Sequence, residues 1–295
     1  MSVQRLQKLE SKSEQIMDIL EKYFLNSSGT HLLVDGITGS GKTQTLYWLF
    51  KGFIERTNEV LLWYDIGKSG EFVKLAEISN KTMKIFVPVG CNIEIEGFED
   101  YEVVEVRPDP IHIVEDLWHA LDRDKINILS FQPFIIDPTA FTRFIADSFR
   151  TLIIEAHNYR IATPLTIFFD EFHNVAPSKD NALSMQHYNA GALVQYNIEK
   201  LRSLKIRIIA STHGDTKIRK GVRDCFSWRI IKRSSGFSGD QPKLRKFNKL
   251  WQGLRKDQSV IVFPDNFFSD IVHLPYYGEP SFRVKYKGLL EEVEK

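Results

Sequence analysis

Between His31 and Thr43 an apolar stretch, Leu32-Leu33-Val34, runs into the turn Gly36-Ile37-Thr38-Gly39-Ser40-Gly41-Lys42-Thr43. Glycines at Gly36, Gly39 and Gly41 let the backbone curl with N–H groups turned inward, and no side chain blocks the phosphate oxygens those groups would hold. Lys42 follows the last glycine and is placed to meet the β- and γ-phosphates of a triphosphate. The Thr43 hydroxyl is placed to ligate magnesium. Gln44 to Arg56 is apolar on one helical face (Leu46, Leu49, Phe50, Phe53), so a helix N-terminus adds its partial positive charge to the same spot. Gly36, Ile37, Thr38, Gly39, Ser40, Gly41, Lys42, Thr43 and Gln44 are therefore the expected nucleotide-binding set, with ATP and Mg2+ as ligands.

Two carboxylates further along fit the same chemistry. Leu165-Thr166-Ile167-Phe168-Phe169 is a hydrophobic run ending in Asp170 and Glu171. If its strand shares a sheet with the glycine turn, Asp170 holds magnesium through its water shell, while Glu171 polarises the attacking water. An apolar strand ending in Asp-Glu says little alone, and its weight comes from the phosphate-binding turn upstream. A third run, Ile206-Arg207-Ile208-Ile209-Ala210, ends in Ser211-Thr212-His213. Paired beside the Asp170 strand, that polar tip would sit near the γ-phosphate and could sense it. His213 is then either a sensing group or a surface histidine beyond a strand.

The elements that must position these residues follow from the alternation of short apolar runs and helical patterns. Val60 to Asp65 reads as a buried strand followed by a loop, Ile66 to Phe72, at the sheet edge where ligands bind in open α/β folds. Ile126 to Phe131 is another core strand, and Pro138 to His157 is a long helix with Phe141, Phe144, Ile145, Phe149, Leu152 and Ile153 inward. Such alternation predicts a mostly parallel sheet covered by helices on both faces. From Lys81 to about residue 110 the runs are short, β-like and broken by glycine and proline, which predicts a small inserted β element. Ser227 to Lys232 and Ser259 to Phe263 read as further strands, with a basic helix from Leu244 to Leu254 between them. Residues 1–29 form an amphipathic helix and its polar end, expected to pack on the core or on a neighbour, and residues 30–295 form one nucleotide-binding domain.

Composition narrows the class. The 295 residues are 43% hydrophobic and 26% charged, enough for one large α/β core. No run of about eighteen apolar residues is present, and the N-terminus lacks a signal-peptide core, so no membrane span and a cytoplasmic location are expected. The two cysteines, Cys91 and Cys225, imply neither a disulfide framework nor a zinc site. The net charge of +1 conceals a split: Lys200 to Lys256 holds 17 Lys and Arg against 3 Asp, a net +14, and the remainder carries −13. That basic segment suits nucleic-acid phosphates, or it is a set of solvated faces with arginines serving the nucleotide.

In order and type these pieces resemble the FtsK/HerA superfamily of P-loop ATPases, ring-forming motors that pump DNA and include HerA-like helicases, conjugation ATPases and viral genome-packaging ATPases. The resemblance covers most of Thr30 to His273. It rests on Gly36 to Thr43, Trp63 to Phe72, Phe169 to Asn174 and Lys200 to His213, where the family usually ends its strand in Ser/Thr-Gln. Here the glutamine is replaced, so either Thr212 or His213 takes its place. The resemblance implies a RecA/ASCE-like P-loop fold, a hexameric homo-oligomer with nucleotide between subunits, and double-stranded DNA as the substrate that is moved. It implies that Arg202 stabilises charge across a subunit boundary, and that Lys42, Glu171, Arg202 and His213 form the catalytic set. A viral or plasmid-encoded packaging or transfer ATPase, with a protein partner that recruits it, fits better than a membrane-anchored pump. The competing expectation is a nucleotide-switched assembly or regulatory NTPase that binds a protein and moves no DNA.

Overall fold

A computed structural model describes residues 14–25, 30–66, 70–135, 137–265 and 267–288. Ten strands form one sheet: β1 (Leu32–Asp35), β2 (Val60–Tyr64), β3 (Met83–Pro88), β5 (Tyr101–Val106), β6 (Ile126–Leu129), β7 (Leu165–Phe169), β8 (Ile206–Thr212), β9 (Trp228–Ile231), β10 (Gln258–Val262) and β11 (Val272–His273). Their spatial order is β11-β10-β9-β1-β8-β7-β2-β6-β3-β5. Every pairing from β9 across to β5 is parallel, and β10 and β11 join antiparallel at the other edge. β4 (Asn92–Glu96) and β12 (Arg283–Lys287) pair with each other in a separate two-stranded sheet.

Helices α1 (Lys42–Arg56), α2 (Val73–Ser79), α3 (Pro138–His157) and α4 (Met185–Leu201) cover the sheet. Alternate residues of each central strand enter opposite cores. Leu33, Leu62, Ile167 and Ile208 join the face filled by α3 and α4, whereas Leu32, Leu61, Phe168 and Ile209 join the face filled by α1. This two-sided burial is why the strands read as continuous apolar runs. Trp63 stacks between Tyr47 of α1 and Phe168 of β7, at centroid distances of 5.8 and 6.0 Å, and fixes α1 over the middle of the sheet. The N-terminal segment also packs on this core, with Ile16, Met17, Leu20 and Phe24 buried. The rest of the helix expected from Met1, its polar end at 26–29 and the loop at 67–69 lie outside the described residues.

Two expectations need correction. The stretch from Lys81 to residue 110 is not an insertion standing apart: β3 and β5 extend the main parallel sheet, and only β4 leaves it to pair with β12. Local pattern cannot reveal this, because the partner of β3 is β6, about forty residues away on the far side of a helical turn. The helix expected from Leu244 to Leu254 is two short helices, Pro242–Arg245 and Asn248–Gly253. The chain folds back between them so that Trp251 Nε1 donates to Leu244 O at 2.8 Å.

Candidate active site

The parallel strands direct their carboxyl ends to one edge, and β1, β7 and β8 bring the expected site residues there together. Gly36 N donates to Thr212 O at 3.2 Å and Ile37 N to Arg233 O at 2.9 Å. The first two residues of the glycine turn thus spend their N–H groups pinning the loop between the chain ends after β8 and β9. Gly39 and Gly41 have φ of +73° and +90°, the left-handed region that glycine enters without strain. A Cβ on Gly36 would lie 2.5 Å from Ser40 Oγ, so the loop closes too tightly for a side chain there. Ser40 N donates to Ile37 O at 3.1 Å. The anion-binding groups are left to the apex and to the first N–H groups of α1, which have no intrahelical acceptor.

Lys42 is buried beneath the loop with Nζ donating to Ile37 O at 3.4 Å. Burial pushes its pKa down, and the charges of Asp170, Glu171 and Asp35 push it back up. Thr43 Oγ1 donates to Asp170 Oδ2 at 2.6 Å, a contact across 127 residues of sequence. The other Asp170 oxygen accepts from Ser211 Oγ at the tip of β8, and Ser211 Oγ in turn accepts from Glu171 N at 2.9 Å. Glu171 adopts φ +53°, which turns its side chain out of the strand line and toward the loop. There Glu171 Oε1 meets His213 Nε2 at 2.5 Å, and His213 Nδ1 lies 3.2 Å from Thr38 Oγ1. His213 therefore joins the apex of the glycine turn to the second carboxylate. Its hydrogen bond holds Glu171 below the usual carboxylate range, against burial that would raise it. The neighbouring His173 ring, 4.8 Å from that of His213, is driven by burial down to about 4 and stays neutral.

Thr43 and Asp170 suit magnesium, which takes hard oxygen ligands from one or two protein groups and completes its shell with water and phosphate oxygens. Two protein oxygens lie at hydrogen-bonding distance beside a loop shaped for phosphate. Among the described residues no cluster of three or more His, Cys, Asp or Glu forms a self-sufficient metal cage. Thr212 is buried and its hydroxyl donates to Gly214 O at 3.2 Å, which turns it away from the cleft. Arg202 is exposed at the opposite, amino end of β8 and does not join this chain's own site.

Tyr276, Glu279 and Tyr286 carried no signal in the sequence, whereas Gln44, an expected nucleotide-binding residue, spends its amide on bringing the first two to the cleft. Gln44 directs its amide to the segment after β11, accepting from Tyr277 N at 2.6 Å and donating to Gly278 O at 3.0 Å. Tyr276 and Glu279 thereby reach the cleft that holds Lys42, Thr43, Glu171 and His213. Tyr286 of β12 donates to Asp65 at the end of β2 at 2.9 Å, as does Ser130 at 2.7 Å. The basic segment is partly internal: Arg207 pairs with Glu59 at 2.9 Å, Arg223 and Arg229 pair with Asp215 at 2.9 and 3.0 Å, and Lys232 is buried. Lys243, Arg245, Lys246 and Lys249 remain exposed on and between the two short helices before β10.

No family model and no curated protein matches the sequence. Solved structures do match the fold. The genome-packaging NTPase B204 from Sulfolobus turreted icosahedral virus 2, in complex with ATP-gammaS, is 12% identical, with 84% of this chain and 98% of that chain covered at a TM-score of 0.51. B204, the DNA-packaging ATPase from Sulfolobus turreted icosahedral virus, is 11% identical, with 84% and 98% covered and a TM-score of 0.51. At such identity the likeness is one of fold: the chain has the mostly parallel sheet, covered by helices, of P-loop NTPases.

Proposed function

We propose that this chain is an ATP-hydrolysing motor of the FtsK/HerA type that acts as a homohexameric ring on double-stranded DNA, in packaging, transfer or processing. The observation that carries the reading is the contact of Thr43 with Asp170, with Glu171 turned into the same cleft. The shared fold with the packaging NTPases and the exposed basic helices support the DNA part.

Lys42 and the N-terminus of α1 bind and orient the triphosphate. Magnesium would be held by Thr43 and Asp170 and would supply charge neutralisation on the phosphate oxygens. Ser211 fixes both Asp170 and the backbone of Glu171, so the two acids keep distinct tasks. Glu171, ionised and hydrogen-bonded to His213, orients a water and accepts its proton as it attacks the γ-phosphate. Arg202 lies far from its own chain's cleft, so its part in charge stabilisation is played at the cleft of an adjacent subunit.

ATP turnover measured against protein concentration, with and without duplex DNA, tests the proposal. Turnover per chain that rises with concentration and with DNA is expected, with a steep loss of DNA stimulation as salt increases. Lys42→Ala abolishes turnover, and Glu171→Gln lowers it by about a hundredfold or more while nucleotide binding persists. Turnover indifferent to both DNA and concentration would favour the protein-binding switch instead.

A further inference from the structure

A cavity of about 390 Å³ shares no lining residue with the nucleotide cleft. Its floor is Arg229 of β9, which stands beside Leu33 of β1 and opposite Val262 of β10, and so lies on the sheet face that α3 and α4 fill. Phe226 and Ser227 before β9, with Phe263 and Pro264 after the antiparallel β10, close it at the sheet edge away from the phosphate loop. The short helices Lys220–Asp224 and Pro242–Arg245 flank it. The volume falls within the range of small-molecule sites.

Arg229 is only 8% exposed. Its Nη1 donates to Asp215 Oδ1 at 3.0 Å, an oxygen that also accepts from Gln241 Nε2 at 2.7 Å, while Asp215 Oδ2 accepts from Arg223 at 2.9 Å. Arg229 Nε and Nη2 have no acceptor among the described residues, and neither is sealed off from the cavity. Those two nitrogens form one edge of the guanidinium plane, the fork that grips both oxygens of a carboxylate. Leaving that edge of a buried cation without an acceptor is costly. The two acids in the lining do not fill it. Asp240 accepts from Arg223 and from Ser238, and Asp224 lies 3.8 Å from Arg223 Nε. Lys243 at the rim is exposed and has no ion-pair partner among the described residues, so the spare charge of the cavity is positive. Leu244, Val262 and Phe263 supply apolar wall around it.

We propose that this cavity binds a carboxylate carried on an apolar body, the acid forked on Arg229 Nε and Nη2 and the body against Leu244 and Phe263. Such a group comes either from a free small acid or from the carboxyl terminus of a protein chain that ends in an apolar residue. The inference does not depend on the nucleotide reading above. Titrations of the full chain, followed by NMR of the small molecule, use 3-phenylpropionate as the free acid, N-acetylphenylalanine as the chain terminus, and N-acetylphenylalanine amide as the same shape without charge. The acids should bind and the amide should bind about tenfold more weakly. Arg229→Lys keeps the charge and a donor for Asp215 but has no fork, and should weaken the acids about tenfold. Lys243→Glu puts a like charge at the rim and should weaken them severalfold. Tighter binding of N-acetylphenylalanine than of 3-phenylpropionate supports the site with a chain terminus as its source, and the reverse or equality supports it with a free acid. Acids that fail to bind, an amide that binds as tightly as its acid, or wild-type affinity in both variants would overturn the proposal. Displacement of the acids by a non-hydrolysable ATP analogue would overturn it too, since they would then occupy the nucleotide cleft. Lys243 is at the surface, so its variant keeps the test decisive even if Arg229→Lys does not fold.

Discussion

At the scale of single residues, the site depends on how charge is managed where strands end. Glu171 is kept ionised chiefly by the hydrogen bond from His213, so His213→Ala should raise its pKa. A base of higher pKa is protonated at higher pH, so the acid limb of the ATP turnover profile should move to higher pH in that variant. An unmoved limb would show that His213 does not tune Glu171. Asp35, the last residue of β1, is a different case. Burial and the nearby Asp215 lift its carboxyl from 3.8 to about 7, against the pull of Arg229, Ser234 and Lys42. A carboxyl whose folded pKa is raised binds its proton more tightly when folded, so stability falls as pH rises from about 4 to about 7. The span corresponds to something on the order of 4 kcal/mol. Asp35→Asn should flatten that dependence, read as denaturant midpoints of both proteins at pH 5 and pH 8; parallel declines would contradict it. Lys42, Thr43, Asp170 and Glu171 were legible in the sequence because their chemistry requires fixed types at fixed spacing. Lys232 was not, because a lysine after a strand in a basic segment looks the same whether it is buried or solvated.

At the scale of elements, the alternation of strand and helix was legible because each strand is buried on both faces. What stayed hidden was partnership. β3 and β5 look like a small inserted β element until β6 is seen to pair with β3. The segment after β11 is anchored by Leu274 and Tyr277 against the core and by backbone groups meeting Gln44, Lys74 and Glu77, contacts that leave no periodic pattern in the sequence. Helix α3 shows the opposite situation, in which local signals suffice. Asp137 caps it by accepting from Thr139 N at 2.9 Å and Ala140 N at 3.2 Å, and Pro138 occupies its first turn. Its inward face, with Phe141, Ile145, Phe149 and Leu152, fills one core of the sheet. Asp137→Ala should destabilise the protein by about 1 kcal/mol with ATP turnover unchanged below the unfolding transition. A loss of turnover at full folding would mean that α3 does more than support β7.

At the scale of the whole molecule, the charge split seen in the sequence divides into an inner and an outer part. Arg207, Arg223, Arg229 and Lys232 serve the interior, whereas Lys243, Arg245, Lys246 and Lys249 face solvent from the two short helices and the turn between them. Replacing those last four by alanine should reduce DNA-stimulated turnover, lower the salt slope of DNA binding by up to about four phosphates' worth, and leave DNA-independent turnover near wild type. Unchanged DNA binding would move the contact elsewhere on the surface. The position of β1 also bears on how the molecule is made. The strand that launches the phosphate loop is flanked by β8 and β9, whose pairing residues lie between Ile209 and Ile231. During synthesis, therefore, the nascent chain carries the glycine turn long before it has the neighbours that shape it. Until the ribosome has delivered Ile231, nucleotide has no formed loop to stabilise, and ligand binding rewards the finished fold over any prematurely terminated fragment.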